Sequence, residues 1–201
     1  MAEHRANVLT RLFEALSELM SESGFAAVSL ADVAARAGVG RTSVYNYFSD
    51  KEALLLGFIE HETETFVHRL HAALEHVTDP QQQLRIYVRE HVNLERSFHL
   101  PPGPDLRSVV SPETARRLRH HVVQVEDTLR RILSDAVGAG MLPAQDVESV
   151  VPLINACLMG PALSASGPGR DRAIAAAEAF IMRAVGVPEH VVTADEVALG
   201  A

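Results

Sequence analysis

Arg41, Thr42, Ser43, Tyr45, Asn46 and Tyr47 stand within seven positions, with Val44 between them and no carboxylate among them. Together they offer a guanidinium, two hydroxyls, a carboxamide and two phenol rings. On the outer face of a helix that mixture suits the major groove of duplex DNA, where arginine reads guanine and asparagine can read adenine. Lys51 follows at the start of the next helix. Free N–H groups and the helix dipole already favour an anion there, so a phosphate can be held by both.

Such a face needs a small rigid frame, and the flanking sequence supplies one. Val8, Leu9, Leu12, Phe13, Leu16, Leu19 and Met20 have the spacing of a helix with one buried face, expected from Ala6 to Ser23 and stopped by Gly24. Ser29 can cap a second, short helix, with Asp32 as its capping-box partner. Ala37-Gly38-Val39 makes a tight turn into a third helix, expected from about Gly40 to Phe48. Val39 and Val44 plug the angle, and Leu30, Val33 and Phe48 close the core. Ser49 and Glu52 read as a second capping box, opening a fourth helix that runs to about His76. Two short helices joined this way form a helix-turn-helix.

The stretch from Ser29 to Leu56 resembles the N-terminal signature of the TetR family (tetracycline-repressor-like regulators): a cap before helix two, Ala-Gly-Val at the turn, an aromatic end to helix three, then Lys-Glu-x-Leu. The likeness extends over roughly Val8 to Phe58. It implies an all-α protein of about nine helices: residues 1–50 as a DNA-binding domain and 51–201 as a ligand-binding and dimerisation domain. It further implies a repressor that grips a palindromic operator as a homodimer and is released by a small organic effector. By position it assigns Ser29 and Lys51 to phosphate, Arg41, Thr42 and Ser43 to bases, and Tyr45, Asn46 and Tyr47 to either. Which of Asn46 and Tyr47 faces DNA stays open. Gly40 departs from the family, where serine or threonine often caps helix three.

The whole chain is consistent with this. Its 201 residues are 47% apolar and 22% charged, enough for a sizeable core and too little for global disorder. A net charge of −8 argues against broad nonspecific DNA binding but leaves room for a local face. No signal segment and no apolar run near ~18 residues is seen, so a cytoplasmic protein without membrane contact is expected. One cysteine, Cys157, allows no internal disulfide and no cysteine-built zinc site.

After residue 76, helical periodicity predicts helices at about Pro80–Phe98, Ser111–Val137, Asp146–Leu163 (kinked at Pro152) and Arg170–Val185, with a loop over Ser166–Gly169. The last two are rich in alanine and glycine, and the resemblance places a two-fold interface there. Phe66, Tyr87, His91, Phe98, Asn155 and Met159 are the candidate lining of an effector pocket, apolar surface with a few polar points, and 101–111 could be its way in. Two histidine stripes have spacing that zinc could use: His61, Glu64, His68 and His71, and His91, Glu95 and His99. A solvated face or an organic pocket is preferred, so no metal and no cofactor is expected. Arg36 reads as a solvated charge. No catalytic frame organises the serines, histidines and aspartates, so an enzyme is not expected. A DNA-binding regulator without a ligand remains the alternative to an induced repressor.

Overall fold

The computed structural model of the chain describes residues 2–98, 109–158 and 168–187. Among them are eight α-helices, one 3₁₀ turn (Phe25–Ala27) and no strand. In order these are α1 (Ala2–Ser23), α2 (Leu30–Arg36), α3 (Arg41–Val44), α4 (Lys51–Leu74), α5 (Pro80–Phe98), α6 (Pro112–Gly138), α7 (Val147–Leu158) and α8 (Pro168–Ala184). The protein is all-α, with eight rather than nine helices among the described residues. The chain divides into two compact units. One comprises residues 1–64 and 97–122, the other 65–96 and 123–201, and α4, α5 and α6 contribute residues to both.

In the first unit, Leu12, Phe13, Leu16 and Met20 of α1 meet Leu30, Val33 and Ala34 of α2, Val44 of α3, and Leu54, Leu55 and Phe58 of α4. Phe13 is the hub, its ring centroid 6.0 Å from that of Phe48 and 5.9 Å from that of Phe58. Phe48 closes over this core because residue 57 is glycine: a Cβ there would lie 2.8 Å from the Phe48 ring. The first helix begins at Ala2, four residues before the expected start.

In the second unit, the largest fully buried side chains include Phe66, Leu70, Leu84, Tyr87, Leu129, Leu133 and Leu158. Helix α7 runs through Pro152, and Asp146 accepts from the Ser149 hydroxyl just ahead of it (2.6 Å). Helix α8 starts at Pro168, inside the expected loop, because proline fits the first turn of a helix. Residues 159–163, expected to continue α7, lie outside the described residues, as does most of the 101–111 segment.

Candidate nucleic-acid interface

The frame of the polar face is built from caps. Ser29 accepts from the Asp32 N–H (3.2 Å) while the Asp32 carboxylate accepts from the Ser29 N–H (3.2 Å) and hydroxyl (2.6 Å), the capping box expected of α2. At the other end Gly38 takes φ 62, Val39 N–H reaches back to the Ala34 carbonyl (2.9 Å) and Gly38 N–H to that of Ala35 (3.2 Å). That double bond pattern closes a helix on a left-handed residue, which glycine adopts without strain. Arg11 of α1 donates to the Ala37 carbonyl and to that of Gly38 (2.8 Å). A cation at a helix C-terminus satisfies orphan carbonyls and opposes the dipole. A side chain at 38 would meet that guanidinium at 2.9 Å.

Helix α3 is shorter than its sequence suggests. It spans only Arg41–Val44, and Gly40 caps it without a side-chain bond. The chain then continues in tighter turns: Asn46 N–H to the Ser43 carbonyl (3.1 Å), Tyr47 to Val44 (3.0 Å), and Phe48 to Val44 (3.1 Å). Two aromatic residues and an asparagine follow Val44, all weak helix formers, and Phe48 is drawn down into the core. Val44 is buried; Arg41, Thr42 and Asn46 are exposed and Ser43 is half-buried. Tyr45 is 52% exposed. Tyr47 is half-buried, packs against the core, and holds the Arg5 guanidinium 5.9 Å from its ring centre. Ser29 is exposed beside its cap.

Lys51 is placed differently from a free phosphate ligand. Its ammonium donates to the carbonyls of Phe25 (3.3 Å), Ala26 (3.0 Å) and Val28 (3.2 Å), and lies 4.9 Å from the Phe25 ring centre. It fastens the 3₁₀ turn to the start of α4, so its charge stays near the helix N-terminus while its N–H groups are engaged. The cap of α4 is Asp50, which accepts from Ala53 N–H (2.8 Å), and not the expected Ser49. Glu52 accepts instead from Ser111 N–H (3.0 Å), the Ser111 hydroxyl (2.6 Å) and the Thr114 hydroxyl (2.6 Å) at the start of α6. These bonds hold its carboxyl below the usual range. Arg36 is ion-paired with Glu18 (3.0 Å) and Glu22 (2.9 Å) rather than merely solvated. Sequence reasoning missed Arg5, Arg11 and Asp50; only Asp50 carried a local signal, lying three residues before an open helix N–H.

In the second unit four of the candidate effector residues converge. Phe66, Tyr87 and His91 stack edge and face, with ring centroids 5.6 to 6.5 Å apart. Tyr87 donates to the Asn155 carboxamide oxygen (2.9 Å). All four are buried. Burial drives the Tyr87 phenol up, out of the range in which it ionises. Burial likewise drives His91 down to about 4, so its imidazole is neutral. His91 Nδ1 has no hydrogen-bond partner among the described residues. Met159 lies outside the described residues, and Phe98 ends α5 with its side chain outside them. A separate cleft of about 250 Å³, lined in part by His71, Glu75, Gln83, Arg131 and Asp135, includes none of the six. His61, Glu64, His68 and His71 are exposed, and no group of three metal-ligating side chains occurs among the described residues.

A capped three-helix head with a polar, carboxylate-free third segment defines a helix-turn-helix protein. Residues 12–57 match the family described as "Bacterial regulatory proteins, tetR family", so this segment carries that family's domain. It is 33% identical over 78 residues to the "HTH-type transcriptional activator FasR" of Mycolicibacterium smegmatis, covering 39% of this chain and 36% of that protein. It is 22% identical over 89 residues to the "Fatty acid metabolism regulator protein" of Bacillus subtilis, covering 44% and 46%. The chain thus spans less than half the length of these relatives. Across the whole fold it superposes on the transcriptional regulator FadR from Bacillus subtilis in complex with stearoyl-CoA, with a TM-score of 0.72, 18% identity, and coverage of 88% and 97%. No helix of the described residues is long and apolar enough to cross a membrane.

Proposed function

We propose that the chain is a transcriptional repressor that binds a palindromic operator as a homodimer and lets go when a small organic effector enters its second unit. The observation that carries this reading is the polar Arg41–Tyr47 face, free of carboxylates, on a head held by the capping box of α2 and the Asp50 cap of α4. Residues 1–50 read DNA and 51–201 bind the effector and the second protomer. Ser29, Arg41, Thr42, Ser43, Tyr45, Asn46 and Tyr47 make the contacts, with Lys51 supplying charge near the start of α4.

The homodimer is supported by an exposed apolar face among the described residues. Leu153 on α7 is 69% exposed and Phe180 on α8 is 60% exposed, beside the exposed alanines 156, 176 and 184. Large apolar side chains left so open on helices rich in small residues suit close approach of a second copy. A pair of heads about one helical turn apart, ~34–36 Å, matches a palindrome.

The effector reading rests on Phe66, Tyr87, His91 and Asn155. An apolar cluster with one hydrogen-bonded phenol and one neutral imidazole nitrogen that has no partner among the described residues suits a mostly aliphatic molecule carrying an uncharged polar group. The relative named for fatty acid metabolism, and the stearoyl-CoA in the complex of the structural neighbour FadR, favour a long-chain acyl compound. Because α4 contributes residues to both units, a displacement of its far half reaches the head directly. Differential affinity of ~1–3 kcal/mol would weaken operator binding 5–150-fold.

Gel-shift titration on duplexes selected from genomic fragments tests both halves. Arg41→Ala combined with Tyr47→Ala, in a variant with unchanged circular dichroism, abolishes the shift. Wild-type protein given long-chain acyl-CoA releases the duplex. If compounds that bind the protein never change operator affinity, the chain is a constitutive regulator and the induction half fails. A reporter fused to the recovered promoter gives the sign of regulation.

A further inference from the structure

Residues 2–64 carry five cationic side chains, Arg5, Arg11, Arg36, Arg41 and Lys51, against ten carboxylates. A duplex is repelled by such a head unless its positive charge is gathered at one place. Three of the five cations are committed inside the fold. Arg11 closes the end of α2 on the Ala37 and Gly38 carbonyls. Arg36 is held between Glu18 and Glu22. Lys51 has its ammonium on three carbonyls.

Two cations are left with their N–H donors uncommitted among the described residues. Arg41 is one, already on the reading face. Arg5, exposed in the second turn of α1, is the other, and its contact is the ring of Tyr47. The ring attracts the charge of the guanidinium and uses none of its five N–H donors. Tyr47 is itself tied to the core, so it sets the position of a long side chain that would otherwise sample many rotamers. A guanidinium so placed, beside the segment that reads the groove, has the forked geometry that matches a phosphate.

We infer that Arg5 is a further DNA contact, gripping a backbone phosphate alongside the groove that α3 and its following turn read. This rests on the DNA-binding reading above. It assigns Tyr47 a second task, that of holding the cation in register. It also means that sequence recognition and phosphate anchoring are coupled through one aromatic ring.

The test uses the full chain, a labelled duplex recovered by selection, and a scrambled duplex of equal length. Affinity is measured across roughly 50–200 mM salt, since each phosphate neutralised contributes about 0.9 to the slope of log K against log salt. Arg5→Ala weakens both duplexes and lowers the slope by about 0.9 per arginine engaged, hence about 1.8 for a two-fold pair. Arg5→Lys restores most of the slope, and Arg36→Ala leaves it unchanged. An unaltered slope in Arg5→Ala overturns the inference. So does an Arg5→Lys variant as weak as Arg5→Ala, which would mean that Arg5 acts by packing on Tyr47. If wild-type protein selects no duplex, the DNA-binding reading itself has failed, an outcome distinct from either.

Discussion

The two units handle polar groups in opposite ways. In the first, polar side chains work mostly at the surface: Ser29 with Asp32, Asp50 with the Ala53 N–H, Arg36 with Glu18 and Glu22. Its core is apolar apart from the edges of a few hydroxyls. In the second unit polar groups lie inside. Glu178 of α8 is buried and receives Arg85 at 2.6 Å and Arg89 at 3.1 Å, both from α5. Tyr87 and Asn155 are buried together, and His91 sits beside them. Surface pairs can exchange partners with water or a ligand at little cost. Buried ones fix a single arrangement, because any other leaves a desolvated group unmatched. The first unit is thus built to present a changeable surface, and the second to hold a defined interior.

Removing a buried charge tests this contrast most severely. Glu178→Ala removes the buried carboxylate that Arg85 and Arg89 share, and the more exposed Arg89 can turn to water. Breaking a buried pair costs 3–5 kcal/mol; with Arg89 able to rehydrate, about 3 kcal/mol is expected. For a chain of this length that lowers the melting midpoint by roughly 6–12 °C, read by circular dichroism. Arg36→Ala, which cuts two exposed pairs, should barely move the midpoint. Equal shifts in the two variants would abolish the distinction between the units.

His91 sharpens the same contrast through pH. Its folded value, down to about 4, lies below the 6.5 of a free imidazole. The unfolded chain therefore binds a proton between those limits that the folded chain refuses. Stability is fully present above pH 6.5 and falls as the solution is acidified towards 4, by roughly 3 kcal/mol for a shift of this size. Phe66 and Tyr87 surround the ring, and no carboxylate is described in contact with it. Urea midpoints at pH 4.5 and 7 should converge in His91→Leu. A variant that retains the wild-type acid sensitivity would assign that sensitivity to other groups.

The contrast also explains what could be read from the chain itself. The head was legible because its signals are local. Ser29 announces a cap three residues ahead, Gly38 a left-handed turn, and the spacing of Leu12, Leu16 and Met20 a buried stripe. It misled where partners were distant. Nothing near Glu52 in sequence indicates that its carboxylate leaves its own helix for Ser111, and Lys51 shows no hint of the carbonyls it holds. Arg36 looked like a free charge because Glu18 and Glu22 belong to another helix. In the second unit, aromatic and polar types at helical spacing identified Phe66, Tyr87, His91 and Asn155 as a set. Their convergence is a property of three different helices. Glu178, amid alanines and with its partners on α5, gave no signal at all.

The smallest expected effect separates two causes that the comparison otherwise mixes, distance along the chain and burial. Glu52 is joined to residues 59 and 62 positions away, yet its bonds lie at or near the surface. If separation in sequence set the cost, Glu52→Gln would resemble Glu178→Ala. If burial does, it stays under about 1 kcal/mol at pH 7, as for exposed pairs. The acid side then carries its signature. Hydroxyl and N–H donors from Ser111 and Thr114 hold the folded carboxyl below its ordinary 4.5. Its contribution is therefore complete above that value and is lost as pH falls through the folded one. The difference in urea midpoint between pH 3 and pH 7 should narrow in Glu52→Gln relative to wild type, while the pH 7 midpoint hardly changes. A large loss at pH 7 would show that the start of α6 depends on this carboxylate far more than its exposure suggests, and that the first unit, too, relies on a fixed polar arrangement.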